Sequence, residues 1–215
     1  MARLFNGTND SIEGASAPVT SYPLTIACWV NPSVLTAGVL ISVGISGGSD
    51  RFQIYIDSAN SKRVATLISA SGSTVETYVS GTYSTGSWFH AASVFTSSSA
   101  RSAYYNGILG TGGFPSGTPL TPSGLNRINI GARYNTTLGG YASGSIAEVG
   151  VWNVALTADE IASLAKGFPC RLVRPSALQF YSRLVRNVQD LRGGVALSEL
   201  GTGTTVSDHP RIIYP

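Results

Sequence analysis

One short helix signal stands against a chain whose other periodic stretches alternate with period two, and that imbalance restricts the fold to β-structure. The signal is Thr157-Ala158-Asp159-Glu160, which has the form of a capping box: the Thr157 hydroxyl accepts from the Glu160 amide, and the Glu160 carboxylate accepts from the Thr157 amide. Ile161 and Leu164 supply a short apolar stripe, Lys166 suits the negative end of the helix dipole, and Gly167 with Pro169 ends the helix. Just before it, the run from Ile146 to Trp152 reads as a buried strand. Period two puts Ile146, Glu148, Gly150 and Trp152 on one face and Ala147, Val149 and Val151 on the other.

Further strands are expected over residues 24–30, 38–45, 52–57, 63–69, 74–83, 88–95, 103–109 and 127–132, the short spacing of an antiparallel sandwich. Within 52–57, Phe52, Ile54 and Ile56 share one face while Gln53, Tyr55 and Asp57 share the other. Asn106-Gly107 is a hairpin signal, because both central residues of a type I′ turn need positive φ. Residues 110–124, with Pro115, Pro119 and Pro122, and the Gly, Asn and Thr-rich residues 134–143 read as loops, where binding residues concentrate.

Several of these pieces carry a family resemblance in the family's order: Phe5-Asn6-Gly7, the run LTIACWVNP from Leu24, Trp88-Phe89-His90-Ala91-Ala92, Tyr104-Tyr105-Asn106-Gly107, Ile128-Asn129-Ile130-Gly131, and GSIAEVGVWNVALTADEIASLAK from Gly144. Together they resemble the LamG-like (concanavalin A-like) jelly-roll family over residues 2–166. The resemblance implies an all-β antiparallel sandwich with one short helix over residues 1–167, followed by a C-terminal extension over 168–215. In that extension Leu178 and Phe180 alternate with Gln179 and Tyr181 as one more strand, and an extended anchoring tail follows. The extension is similar to those of LamG-like proteins from tailed bacteriophage particles.

Charge separates the two parts. Charged residues are 12% of the chain, against about 25% in typical domains, so the surface must be rich in uncharged polar groups. Residues 1–167 hold eight basic and eight acidic side chains, whereas the remainder holds six arginines (171, 174, 183, 186, 192 and 211) against three acids. These arginines are interspersed with apolar residues and form no run, so they read as solvated or as holding local carboxylates, and among functional roles as facing an acidic protein neighbour and not nucleic acid. The tail residues Arg183, Arg186, Arg211, Ile212, Ile213 and Tyr214 are the expected docking elements. Cys28 and Cys170 are expected as free thiols, no leader peptide is expected before Leu4, and no stretch is long and apolar enough to span a membrane.

Catalytic patterns are sparse. Concanavalin A-like glucanases carry E-x-D-x-x-E on one strand, and here no Glu has an Asp two positions on. Glu148 reads as a structural hydrogen-bond or salt-bridge partner, His90 as a packed, hydrogen-bonded core residue, and His209 has no companion for a metal site. No catalytic residue, cofactor or metal site is assigned; calcium, which some LamG-like modules bind, is conceivable at Asp50 and Asp57 without a recognisable ligand spacing. Tyr134, Asn135 and Tyr141 have the composition of a sugar platform, an aromatic ring beside an amide. The expected function is a non-enzymatic bacteriophage virion protein, a capsid decoration or cement protein at the virion surface. It would dock through its C-terminal segment onto capsid or other virion proteins and assemble as a homo-oligomer, a trimer by resemblance. The alternative is a lectin-like carbohydrate-binding module that recognises cell-surface glycans.

Overall fold

The computed structural model describes residues 2–113 and 117–213. In chain order the strands are β1 (Ala2–Asn6), β2 (Ser11–Gly14), β3 (Leu24–Pro32), β4 (Gly38–Gly44), β5 (Arg51–Asp57), β6 (Lys62–Ala70), β7 (Ser73–Ser80), β8 (Phe89–Ser97) and β9 (Ala100–Tyr105). There follow β10 (Ile108–Leu109), β11 (Gly112–Gly113), β12 (Arg127–Ile130), β13 (Arg133–Asn135), β14 (Thr137–Gly139) and β15 (Ser143–Trp152). After the helix α1 (Ala158–Ala165) come β16 (Leu178–Ser182), β17 (Leu197–Leu200) and β18 (Thr205–Ser207). One sheet runs β10-β9-β8-β3-β15-β1-β18 with β16 also on β15; the other runs β11-β7-β6-β5-β4-β12-β2-β17; β13 and β14 pair as a separate hairpin. All pairings are antiparallel, so the architecture is the expected concanavalin A-like sandwich.

The alternation in each strand decides what lies between the sheets. Phe52, Ile54 and Ile56 of β5 meet Leu24, Ile26, Cys28, Phe89 and Phe95 of the opposite sheet in one continuous core. Thr66 and Ser93, facing each other across it, satisfy one another at 2.6 Å. A second apolar cluster lies on the outward side of the first sheet, where Ala27, Ala92, Val94 and Trp152 are covered by Ile161 and Leu164 of α1 and by Cys170, Leu178 and Tyr181. The capping box forms as expected, with Glu160 N donating to Thr157 Oγ1 at 3.3 Å and Thr157 N donating to Glu160 Oε2 at 2.8 Å. Asn106 and Gly107 adopt φ of 49° and 80°. A Cβ on Gly107 would stand 3.1 Å from Ala162 Cα, so the hairpin can press against the helix only with glycine there.

Three expectations change. Residues 134–143, read as a loop, begin with the β13–β14 hairpin. The register of β15 shifts between Ala147 and Gly150, and Glu148 takes a left-handed φ of 52° at the bulge. The extra residue resets the alternation: Ile146, Val149 and Val151 all join the central core, while Trp152 turns to the outer cluster. Strict period two therefore misassigns Ile146 and Trp152 to a common face. The bulge also lies where β15 exchanges partners along one edge, from β1 (Arg3↔Ile146) to β16 (Val149↔Ser182).

The residues after Gly167 supply three strands instead of one strand and an extended tail. β16 pairs with β15, β17 extends the second sheet beside β2, and β18 extends the first beside β1. Buried Asp190 organises the bend between β16 and β17, accepting from the amides of Tyr181, Arg192, Gly193 and Val195 at 2.9–3.0 Å. Beyond β18 the chain turns back, and Ile213 N donates to Gly167 O at 2.8 Å.

Candidate functional site

The outward face of the second sheet has no covering layer of helix, and its side chains follow from the same alternation that builds the core. With Phe52, Ile54 and Ile56 inside, Arg51, Gln53 and Tyr55 must point out. Cross-strand register then sets Glu13, Asn129, Ser42, Gln53, Leu67 and Glu76 opposite one another in an unbroken row over six strands. In the middle of this row a cleft of about 220 Å³ opens, with Arg51, Gln53, Tyr55 and Leu67 as its floor. Residues 37–39, entering β4, form one wall, and the β13–β14 hairpin contributes Arg133 and Gly140. Gly140 has φ of 68°, and a Cβ there would come within 3.0 Å of Val39 and 3.1 Å of Arg133 NH1. Glycine lets the hairpin carry its arginine down onto the sheet.

Charge is distributed unevenly along the row. At one end Glu13 is matched by Arg127 at 3.0 Å and by Asn129 at 3.3 Å. At the other end Glu76 is matched by Lys62 at 2.6 Å and accepts from the Tyr55 hydroxyl, while the Lys62 ammonium lies 5.8 and 5.5 Å from the ring centres of Tyr55 and Tyr78. Burial, and then the hydrogen bond to Glu76, push the Tyr55 phenol well above its ordinary pKa, so it stays protonated and donates.

The centre of the row is different. Arg51, only 5% exposed, donates through Nε to Gln53 Oε1 at 2.8 Å and through NH1 to Ser49 O at 2.7 Å. Burial and the neighbouring Arg133 charge lower its pKa to about 10, which leaves it cationic at neutral pH. Burial likewise lowers the pKa of Arg133. Neither arginine has an acidic partner within ion-pair distance among the described residues. The nearest acid to Arg51, Asp50, accepts instead from the amides of Ser71 and Ser123 at 2.9 and 3.0 Å.

The hairpin with Tyr134 and Asn135 does border this cleft, but it enters through Arg133. Successive residues of a strand point to opposite sides, so Tyr134 is directed toward Glu13 and Ser46, and its phenol is raised by burial and by Glu13. Asn135 is exposed next to the turn, and half-buried Tyr141 follows the hairpin; none of the three lines the cleft. Asp57 caps the short helical turn at Ser58–Asn60, accepting from Asn60 N and Nδ2 at 3.3 and 2.6 Å, and no group of three or more metal-ligating side chains comes together among the described residues. The cleft residues Arg51, Gln53 and Tyr55 carried a signal in the sequence, a polar, aromatic face alternating with a fully apolar one. Arg133, Gly140 and residues 37–39 carried none, because only tertiary folding brings them there.

The other singled-out residues lie elsewhere. Glu148, 2% exposed, accepts from Tyr181 Oη at 2.5 Å and from Arg183 Nε at 3.3 Å, with His209 Nε2 also at 3.3 Å, the structural role expected of it. His90 is packed edge-on against Trp29, and burial lowers its pKa to about 3; its backbone amide donates to Asn106 Oδ1, while its Nδ1 has no hydrogen bond among the described residues. Cys28 and Cys170 are buried free thiols, and burial pushes both up in pKa. In the tail, Arg183 is paired with Glu148, Arg186 is exposed and accepts from Arg3 NH2 through its carbonyl at 2.6 Å, Arg211 and Ile213 are exposed, and Ile212 is half-buried. Tyr214 lies outside the described residues. No helix among the described residues is long and apolar enough to cross a membrane.

Solved structures share this architecture. A putative carbohydrate binding protein from Bacteroides ovatus aligns with a TM-score of 0.67 at 18% identity, over 99% of this chain and 61% of its own. The native heptameric SAP-like pentraxin of Limulus polyphemus aligns with 0.59 at 17%, over 76% of this chain and 81% of its own. The CBM40 of Ruminococcus gnavus IT-sialidase, bound to α2,3 sialyllactose, aligns with 0.58 at 16%, over 76% of this chain and 96% of its own. At such identities the likeness is one of fold. No curated protein matches the sequence. The sequence has its own match, however: the model of the concanavalin A-like lectin/glucanases superfamily fits residues 6–162, which include every strand that frames the cleft, and the chain belongs to that superfamily.

Proposed function

We propose that this chain is a non-catalytic carbohydrate-binding module whose ligand lies in the cleft on the outward face of the second sheet. The observation that carries the reading is the cleft itself: an open site floored by Gln53, Tyr55 and Leu67, with apolar surface for a sugar ring and fixed donors around it. The family and the carbohydrate-binding description of several structural neighbours support it. The cleft-lining residues include no Asp or Glu, whereas glycoside hydrolysis ordinarily uses a pair of carboxylates flanking the bond. Glycan-array binding by the intact chain tests the reading. Leu67→Asp, which puts an acid on the cleft floor, is expected to abolish retention, while Tyr134→Ala and Tyr141→Ala leave it unchanged. The reverse pattern would move the site to the hairpin tyrosines.

A second reading places the module on the surface of a bacteriophage particle, as a decoration protein that adheres to glycans. The sequence resemblance supports it, and Arg186, Arg211 and Ile213 remain exposed for a neighbour. Light scattering on the intact chain tests the oligomer expected of such a protein, and co-sedimentation with phage capsids tests the docking. A monomer that ignores capsids removes this reading without touching the first.

A further inference from the structure

The two central arginines set the middle of the row apart from its ends. A buried cation ordinarily sits beside an acid, and the ends of the same row obey that rule through Glu13 with Arg127 and Glu76 with Lys62. Arg51 and Arg133 do not: each faces the cleft, each carries a charge disfavoured by its surroundings, and the one acid nearby is held by backbone amides. Arg51 is fixed by two hydrogen bonds through Nε and NH1, while its NH2 has no partner among the described residues. A guanidinium held in this way keeps NH2 as a fixed, charged donor for an acceptor that enters the cleft. A ligand that brings one negative charge between buried Arg51 and half-buried Arg133 would offset half of the pair's charge and remove their mutual repulsion.

We propose that Arg51 and Arg133 form a carboxylate-binding subsite, so that the saccharide recognised in this cleft is acidic, a uronic or sialic acid residue whose carboxylate sits between the two guanidinium groups while its ring rests against Tyr55 and Leu67. The inference depends on the cleft being the glycan site, and it goes further by naming the charge of the sugar.

The test measures binding of the intact chain to oligogalacturonate, hyaluronan and sialyllactose, and to the same three after reduction of their carboxylates to alcohols, with dextran sulfate, which has no carboxylate, as the sulfated control. The expected result is binding to at least one carboxylated glycan, weakened at least tenfold by carboxyl reduction and at least tenfold by Arg133→Gln. The affinity should also fall as salt is raised. Arg133 is the first residue to change because it lies on a hairpin outside the two sheets; Arg51→Lys, which keeps the charge but loses the fork, is the second, and a melting curve on each variant verifies the fold. Binding to neutral glycans with Arg133→Gln unaffected overturns the acidic subsite while leaving the carbohydrate-binding function standing. Binding to dextran sulfate alone overturns the carboxylate in favour of sulfate. Failure to bind any of these glycans or a wider neutral array overturns both.

Discussion

The outward faces of the two sheets are treated in opposite ways. On the first sheet α1 and the turn at Cys170–Leu172 cover an apolar surface built from Ala27, Ala92, Val94 and Trp152 together with Leu178 and Tyr181 of the adjoining β16. The acid buried at its border, Glu148, is met by Tyr181, Arg183 and His209 together. On the second sheet the β13–β14 hairpin leans over only part of the row from Glu13 to Glu76 and leaves a cleft, where two arginines have no acid within ion-pair distance among the described residues. The chain closes one face with its own residues and balances the charge there; the other it leaves open and unbalanced. That imbalance is the observation from which the acidic-sugar proposal is argued.

Truncation after Gly167 is the strongest way to break this contrast. It removes β16, β17 and β18, takes away the carbonyl of Val173 to which Trp152 Nε1 donates at 2.8 Å, and exposes Val149 and Trp152. Phe180, Leu178 and Tyr181 would each forfeit about 1.5–3 kcal/mol of burial, a sum comparable to the whole stability of a domain. The expected product is insoluble or without a cooperative transition by circular dichroism. A soluble truncation that melts like the intact chain would show the covering segment to be dispensable. Trp152→Ala empties the largest side chain from the covered face and should cost about 3–5 kcal/mol in urea unfolding.

His90 gives the covered side a dependence on pH. Its folded pKa of about 3 lies below the ordinary value of 6.5, so the unfolded chain binds a proton that the native chain refuses. Stability contributed by this group falls as pH drops from about 6.5 toward 3, by up to about 1.4 kcal/mol per unit. Chemical denaturation of wild type and His90→Leu at pH 7, 6 and 5 should show that slope in the difference between them, and parallel curves would refute it. The smallest effect belongs to the open face. Arg133→Gln removes a cation that repels Arg51 and has no acid of its own, so urea unfolding should place it within about 0.5 kcal/mol of wild type. A loss of several kcal/mol would make Arg133 a structural residue and dissolve the contrast.

The sequence made the covered face easier to foresee than the open one, and for physical reasons. Alternation in residues 52–57 and the capping box at Thr157 are local, and both appear where they were expected. The bulge at Glu148 is a choice made by two neighbouring strands that share one edge of β15, and no pattern within residues 146–152 encodes it. The tail misled because β17 and β18 pair with strands nearly 200 residues earlier, and short polar segments such as Thr205–Ser207 acquire strand geometry only from such partners. The hairpin was noticed for its tyrosines, yet alternation sends Tyr134 away from the cleft and Arg133 into it. Which of two adjacent residues faces a site depends on a twist and a turn that composition does not reveal.

The pairing of β1 with β18 also decides how the molecule would respond to mechanical load. Beyond β18 the chain is tied back at His209 and Ile213. The two strands are antiparallel, with Ala2 opposite Ser207, so the start of β1 and the end of β18 lie side by side. Tension drawn between them would not shear the ladder all at once; it would unzip the bonds singly, starting at β18. The early yield would fall on β18 and the ties that follow it, while β4, β5 and β6 beneath the cleft lie in the other sheet, away from that line of load.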